Sequence, residues 1–181
     1  IVPFAIMNQH DDFFNYISDH FKLTYWLPGN HEYYHFDITD KSGILNERIK
    51  NNVTLVNKTS VVYDGVKLLF STLWSHISIA NQWQIERNLN DFHQIKHNGS
   101  HFTSEHYNAL HYESLDFIKQ TVNQSSGDKM VVFSHHCPTF LNYPPKYKGD
   151  TLNEAFATEL YDFIETSNIS YWGYGHHHFN T

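Results

Sequence analysis

The sequence of 181 residues has little cysteine, proline or glycine: one Cys, five Pro and eight Gly. A single cysteine excludes a disulfide framework and is weakly typical of a reducing compartment, so we expect a cytoplasmic protein. The scarcity of proline and glycine, together with 40% hydrophobic residues, excludes a collagen-like, low-complexity or disordered chain. The chain is long enough to bury an ordinary core without disulfides.

Long apolar runs and clustered basic residues are also missing, and their absence bears on partners. No apolar run approaches the roughly 20 residues that a membrane-spanning helix needs, so we expect no membrane partner. The chain has 12 Lys and Arg against 19 Asp and Glu, a net charge of −7. Because a nucleic-acid-binding surface neutralises phosphates with clustered positive charge, we expect no nucleic-acid partner. No pattern in the sequence indicates an oligomeric state.

The order of apolar and turn residues predicts a single α/β domain over residues 1–181, with mixed sheets. Helical spacing predicts helices over 13–21, after Thr103 and over 152–166. β-rich runs predict strands at 23–27, 53–56, 60–63, 66–70, 129–134 and 169–174. The strand at 129–134 is apolar enough to be buried on both faces. Asp64-Gly65 between two of these runs predicts a two-residue hairpin, because both residues tolerate positive φ.

Three predicted strands end in the same kind of side chain. They run into Gly29-Asn30-His31-Glu32, into His135-His136, and into Gly175-His176-His177-His178. Ligand sites in open α/β sheets lie beyond the carboxyl ends of the strands. Residues spaced i, i+2 can face one way, so His176 and His178 can converge while His177 points elsewhere. Imidazole nitrogens with an amide oxygen suit Zn, Mn or Fe.

Each of these residues taken singly has an ordinary structural explanation. A strand-end histidine is more often a core or turn residue than a ligand, and Asn30 after Gly29 is a common turn pair. The three groups together favour a metal site. Asp91, in Asn90-Asp91-Phe92, either reaches this site or caps a helix, and the sequence does not separate the two.

The ordered motifs Gly29-Asn30-His31-Glu32, His135-His136 and Gly175-His176-His177-His178 resemble those of calcineurin-like metallophosphoesterases. The stretches between them, among them Thr72-Leu73-Trp74 and Asn90-Asp91-Phe92, resemble a bacterial branch of that family. The family pattern is D-x-H, G-D, G-N-H-D/E, H and G-H-x-H. The first two motifs are absent here, so we expect a domain that lacks its N-terminal strands and also its closing C-terminal strands. The resemblance implies a four-layer α/β/β/α sandwich.

The resemblance also implies a dinuclear, metal-dependent hydrolase. Two divalent ions (Mn, Fe or Zn) would share a bridging hydroxide that attacks a small-molecule phosphomonoester or phosphodiester. Carried over by position, Asn30, His135 and His176 would bind one metal and His178 the other. His31 would face the phosphoryl group as the catalytic acid.

Two further residues would support that site. Glu32 would orient His31, and His136 would stand behind the ligands. The competing interpretation is a catalytically inactive scaffold of the same fold that binds a protein partner. Intact upstream D-x-H and G-D motifs would favour the enzyme, and substituted aspartates would favour the scaffold.

Overall fold

Two mixed β-sheets form the framework of the chain in a computed structural model, which describes residues 2–125, 127 and 129–177. The first sheet contains β1 (Thr24–Trp26), β2 (Leu45–Lys50) and β3 (Val53–Asn57) in the order β1-β3-β2. β3 pairs in parallel with β1 and antiparallel with β2.

The second sheet holds four strands in the order β4-β5-β8-β9. They are β4 (Thr59–Tyr63), β5 (Val66–Ser71), β8 (Lys129–Ser134) and β9 (Ile169–Tyr174), and a separate two-stranded ribbon consists of β6 (Lys96–His97) and β7 (Ser100–His101). β4 and β5 form an antiparallel hairpin, whereas β5, β8 and β9 run parallel. The carboxyl ends of three strands therefore meet at one edge.

The helices are α1 (Asp11–His20), α2 (Gln82–Asn88), α3 (Asp91–Gln94), α4 (Ser104–Asn123) and α5 (Tyr161–Thr166). Short 3-10 helices lie at Phe4–Gln9, Asn30–Tyr33, Ile38–Asp40, Pro145–Tyr147 and Thr151–Ala155. None of the helices in the described ranges has the length and hydropathy to cross a membrane.

Helix α1 packs against the first sheet, and helix α4 packs against the second. Phe14 of α1 packs on Val53 of the first sheet, and Ile118 of α4 packs among the buried residues of the second sheet. Between the sheets, the rings of Tyr25 and Phe70 lie 4.9 Å apart. This order of helix, sheet, sheet and helix confirms the predicted α/β class with mixed sheets.

Local signals explain the predicted elements that the structure confirms. Asp64 and Gly65 both have positive φ, 51° and 73°, as the two-residue hairpin requires. Thr103 is the N-cap of α4, and its side chain accepts a hydrogen bond from the backbone N–H of His106. The predicted strand at 129–134 matches β8 residue for residue.

Two predictions about local structure are wrong. The range 152–166 is not one helix. It holds the end of a 3-10 helix, an extended stretch in which Ala157 bridges to Cys137, and the short α5. The backbone on either side of Ala157 pairs with Cys137: the N–H of Cys137 donates to the carbonyl of Phe156, and the N–H of Thr158 donates to the carbonyl of Cys137. β8 is not buried on both faces either, because its burial alternates and Phe133 is 37% exposed.

Candidate functional site

Three of the predicted site residues meet where strands from both sheets end. Asn30 follows β1, His135 follows β8 directly, and His176 stands two residues after β9. The Nε2 atom of His135 lies 3.0 Å from Asn30 Oδ1 and 3.0 Å from His176 Nδ1. The fold therefore brings together strand-end motifs that are 105 residues apart for Asn30 and His135 and 41 residues apart for His135 and His176.

The chemistry of these three atoms fits a cation. Asn30 Oδ1 is an acceptor only, and each imidazole nitrogen presents a lone pair when its proton is on the other nitrogen. Neighbouring ligands at right angles on an ion with bonds of about 2.1 Å are roughly 3 Å apart, which is the spacing found here. Without an ion, each of these contacts needs a proton on one of the imidazole nitrogens. The donor set therefore suits a borderline N/O metal ion.

The fourth predicted ligand, His178, lies outside the described residues. Within the ranges that the structure describes, no group of three or more His, Cys, Asp or Glu side chains is placed to hold an ion. The cluster above contains two such side chains, because its third member is the amide of Asn30. The structure therefore describes one donor set of two histidines and one amide.

The backbone of His176 supports a functional role for this turn. His176 has a φ of 71°, in the left-handed region that residues with a β-carbon rarely adopt. Strained backbone of this kind is concentrated at ligand-binding and active sites. The turn directs the Nδ1 atom of His176 at His135.

Asp91 fixes the orientation of Asn30. Its Oδ1 atom accepts hydrogen bonds of 2.8 Å from Asn30 Nδ2 and from the hydroxyl of Tyr34. Because the carboxylate accepts from the amide nitrogen, the amide oxygen is turned toward His135. Asp91 is 1% exposed, and the structure resolves the alternative that the sequence left open: this carboxylate reaches the site.

Asp91 also brings charge close to the cluster. Burial raises the pKa of Asp91 above its usual value, whereas the donors on Asn30 and Tyr34 and the nearby His31 favour its ionised form. Its second oxygen, Oδ2, is buried and has no hydrogen-bond partner among the described residues. A buried carboxylate beside the donor atoms lowers the electrostatic cost of placing a cation there.

Gly29 allows the strand ends to approach each other. A β-carbon on Gly29 would overlap the imidazole of His135 and lie 2.6 Å from its Nε2 atom. Glu32 holds this backbone in place, since its carboxylate accepts from the N–H groups of Gly29 at 2.7 Å and Val2 at 3.2 Å. Both carboxylate oxygens of Glu32 therefore bind the backbone next to the ligands, in place of the expected contact with His31.

His31, the expected catalytic acid, lies beside the cluster of Asn30, His135 and His176. Its ring stands 4.7 Å from the ring of Tyr34, and it is partly exposed. Burial is the largest influence on the pKa values of Asp91 and His176, and His31 is close enough to add a smaller electrostatic effect on both. The structure thus puts an accessible imidazole at the rim of the cluster.

His136 lies behind the ligands as a buried support. Its Nε2 atom is 3.1 Å from the Tyr107 hydroxyl, and its Nδ1 atom is 3.2 Å from the carbonyl of Thr72. Its ring centre is 4.5 Å from that of His176. Burial holds the pKa values of His136 and His176 well below the usual range, so both rings are neutral near pH 7. A neutral imidazole is the form that binds metals.

Thr72, to which the sequence assigned no role in the site, connects the strand ends. Its hydroxyl donates to the carbonyl of Pro28, and its own carbonyl accepts from the backbone N–H groups of His135 and His136. The sequence could not predict these contacts of Thr72, because they depend on the parallel register of β5 and β8.

Comparison with known proteins agrees with this geometry. The family model of calcineurin-like phosphoesterases matches residues 5–180. "Uncharacterized protein L509" of Acanthamoeba polyphaga mimivirus is 31% identical over 187 residues, which cover 93% of this chain and 66% of that protein. No solved structure matches. The chain therefore belongs to the calcineurin-like phosphoesterase family. Because this relative is viral, the bacterial branch stays a prediction.

Proposed function

We propose that the protein hydrolyses a small-molecule phosphomonoester or phosphodiester with the help of divalent metal ions held at the strand ends. The observation that carries this proposal is the convergence of Asn30 Oδ1, His135 Nε2 and His176 Nδ1 at 3.0 Å contacts. The family match supports the reaction class. The donor types favour Mn, Fe or Zn, and two ions are expected for a hydrolytic site of this kind.

The proposed reaction needs residues that bind the metal ions and a residue that protonates the leaving group. Asn30, His135 and His176 would hold one ion, and His178 is proposed for the second ion on the sequence alone. When bound, such ions neutralise phosphoryl oxygens and lower the pKa of a water nucleophile. His31, at the accessible rim, would hold a proton on its imidazole and donate it to the leaving oxygen.

The proposal is tested on the full-length protein after its metals are removed with a chelator. Nitrophenyl phosphate and bis(nitrophenyl) phosphate are supplied with Mn²⁺ or Zn²⁺, and nitrophenol release is followed. We expect turnover of at least one ester that depends on added metal and is lost in His135→Ala. A folded, metal-loaded protein that hydrolyses neither ester would favour the non-catalytic scaffold.

The contact between Asp91 and Asn30 gives a prediction about positioning. Asp91→Leu should weaken metal binding and turnover by about 10- to 100-fold, the usual effect of losing a partner of a metal ligand. The physical reason is that the Asn30 amide loses the acceptor that turns its oxygen inward. Metal affinity is measured by calorimetry.

Two variants separate positioning by Asp91 from general stability. Asp91→Asn retains an oxygen that accepts from Asn30, so it should bind metal more tightly than Asp91→Leu and lose only the contribution of the carboxylate charge. Tyr34→Phe removes the other donor to Asp91 without touching Asn30, and its metal affinity should stay within a few-fold of the wild type. If Asp91→Leu binds metal as tightly as the wild type, Asp91 does not position the ligand.

A further inference from the structure

A small aromatic cleft lies directly beside the candidate metal ligands. It has a volume of about 140 Å³, and its walls include Tyr143, Tyr147, Phe156, His176 and His177. The ring of Phe156 stacks on that of His176 at 4.4 Å, and Tyr143 meets His177 edge-on at 4.5 Å. The cleft and the donor cluster therefore share a wall, the imidazole of His176.

We infer that this cleft binds a planar aromatic group of the phosphoester substrate, such as a phenyl or pyrimidine ring. The inference rests on the proposed function, and it adds the class of substrate. An engineered apolar cavity of about 150 Å³ holds benzene, so the volume here matches one six-membered ring. Aromatic walls bind such rings in stacked and edge-to-face arrangements.

The polar groups of the cleft agree with an uncharged ring. Nε2 of His177 is buried and has no hydrogen-bond partner among the described residues. The carboxylate of Asp150 also lines the cleft and would repel a second phosphate. The cleft therefore suits the organic part of the ester.

The walls of the cleft are held in place before any ligand binds. Asn153 Nδ2 donates a 2.6 Å hydrogen bond to the carbonyl of Tyr147, and Asp150 Oδ1 accepts one of 2.9 Å from the N–H of Leu152. Binding then costs little loop ordering, which favours affinity.

The test measures binding of non-hydrolysable ligands to the metal-loaded, full-length protein by calorimetry. We expect phenylphosphonate to bind about tenfold more tightly than ethylphosphonate, because only the phenyl ring gains the aromatic contacts. Tyr143→Ala should remove most of this preference and leave ethylphosphonate binding within twofold of the wild type. Tyr63→Ala, at an exposed strand end, is the matched control and should keep the preference.

Each result decides the assignment. Equal affinity for both phosphonates, equal weakening of both by Tyr143→Ala, or binding of neither ligand would overturn it. A variant that binds metal with wild-type stoichiometry shows that the fold is kept. If the protein hydrolyses esters but shows no preference for phenylphosphonate, the proposed role of the cleft is wrong and the proposed hydrolase function stands. If it prefers phenylphosphonate but hydrolyses no ester, the hydrolase function is wrong and the role of the cleft stands.

Discussion

His31→Ala should retain bound metal and lose about 10²- to 10⁴-fold in turnover of an alkyl phosphoester, the usual contribution of general acid catalysis. The structure places His31 beside the donor cluster and outside the contacts of Asn30, His135 and His176. An alkoxide is a poor leaving group and needs a proton in the transition state. The loss should shrink for nitrophenyl phosphate, since nitrophenolate leaves without protonation.

The experiment compares turnover on the two esters together with metal content. His35→Asn is the matched control: it removes a neighbouring, exposed histidine, and Asn tolerates the positive φ of 60° at that position. The control should keep activity on both esters. If His31→Ala loses a metal ion, or slows both esters equally, His31 is a ligand or an electrostatic clamp rather than the acid.

Gly29→Ala should abolish the site through a single methyl group. The backbone of Gly29, with φ −99° and ψ −170°, is open to alanine, so the effect is steric and not conformational. The added carbon would overlap the His135 ring, which must leave its position next to Asn30. We expect at least 100-fold loss of turnover, since a shift of about 1 Å at a reacting centre costs that much.

The same variant should also be less stable. Overpacking of this kind costs about 1–3 kcal/mol of unfolding free energy, which urea denaturation measures. Gly175→Ala is the matched control, because its β-carbon would lie 3.8 Å from His135 Nδ1, an ordinary contact. Wild-type metal affinity in Gly29→Ala would contradict the tight packing of these strand ends.

The sequence predicted the parts of the fold that local chemistry determines. The Asp64-Gly65 hairpin, the Thr103 cap and the uninterrupted apolar run of β8 each depend on a few adjacent residues. The single helix that periodicity predicted over 152–166 is not formed, because tertiary pairing of Ala157 with Cys137 overrides the helical pattern.

The sequence likewise predicted the residues of the candidate site that follow strands. Asn30, His135 and His176 stand out because each follows a strand. The parallel pairing of β8 and β9 brings the ends before His135 and His176 together, and Asn30 reaches them from β1 of the first sheet. Asp91 and Thr72 could not be assigned, since their contacts cross between elements that no local pattern relates. Glu32 was expected to contact His31 for the same reason, whereas its carboxylate oxygens accept hydrogen bonds from backbone N–H groups.

The central claim is that Asn30, His135 and His176 together bind a divalent ion. Its most direct test is calorimetric titration of the metal-free, full-length protein with Mn²⁺ or Zn²⁺, beside His135→Ala and the exposed control His101→Ala. We predict two bound ions in the wild type and the control, and the loss of one ion or a large drop in its affinity in His135→Ala. Unchanged stoichiometry and affinity in His135→Ala would contradict the account.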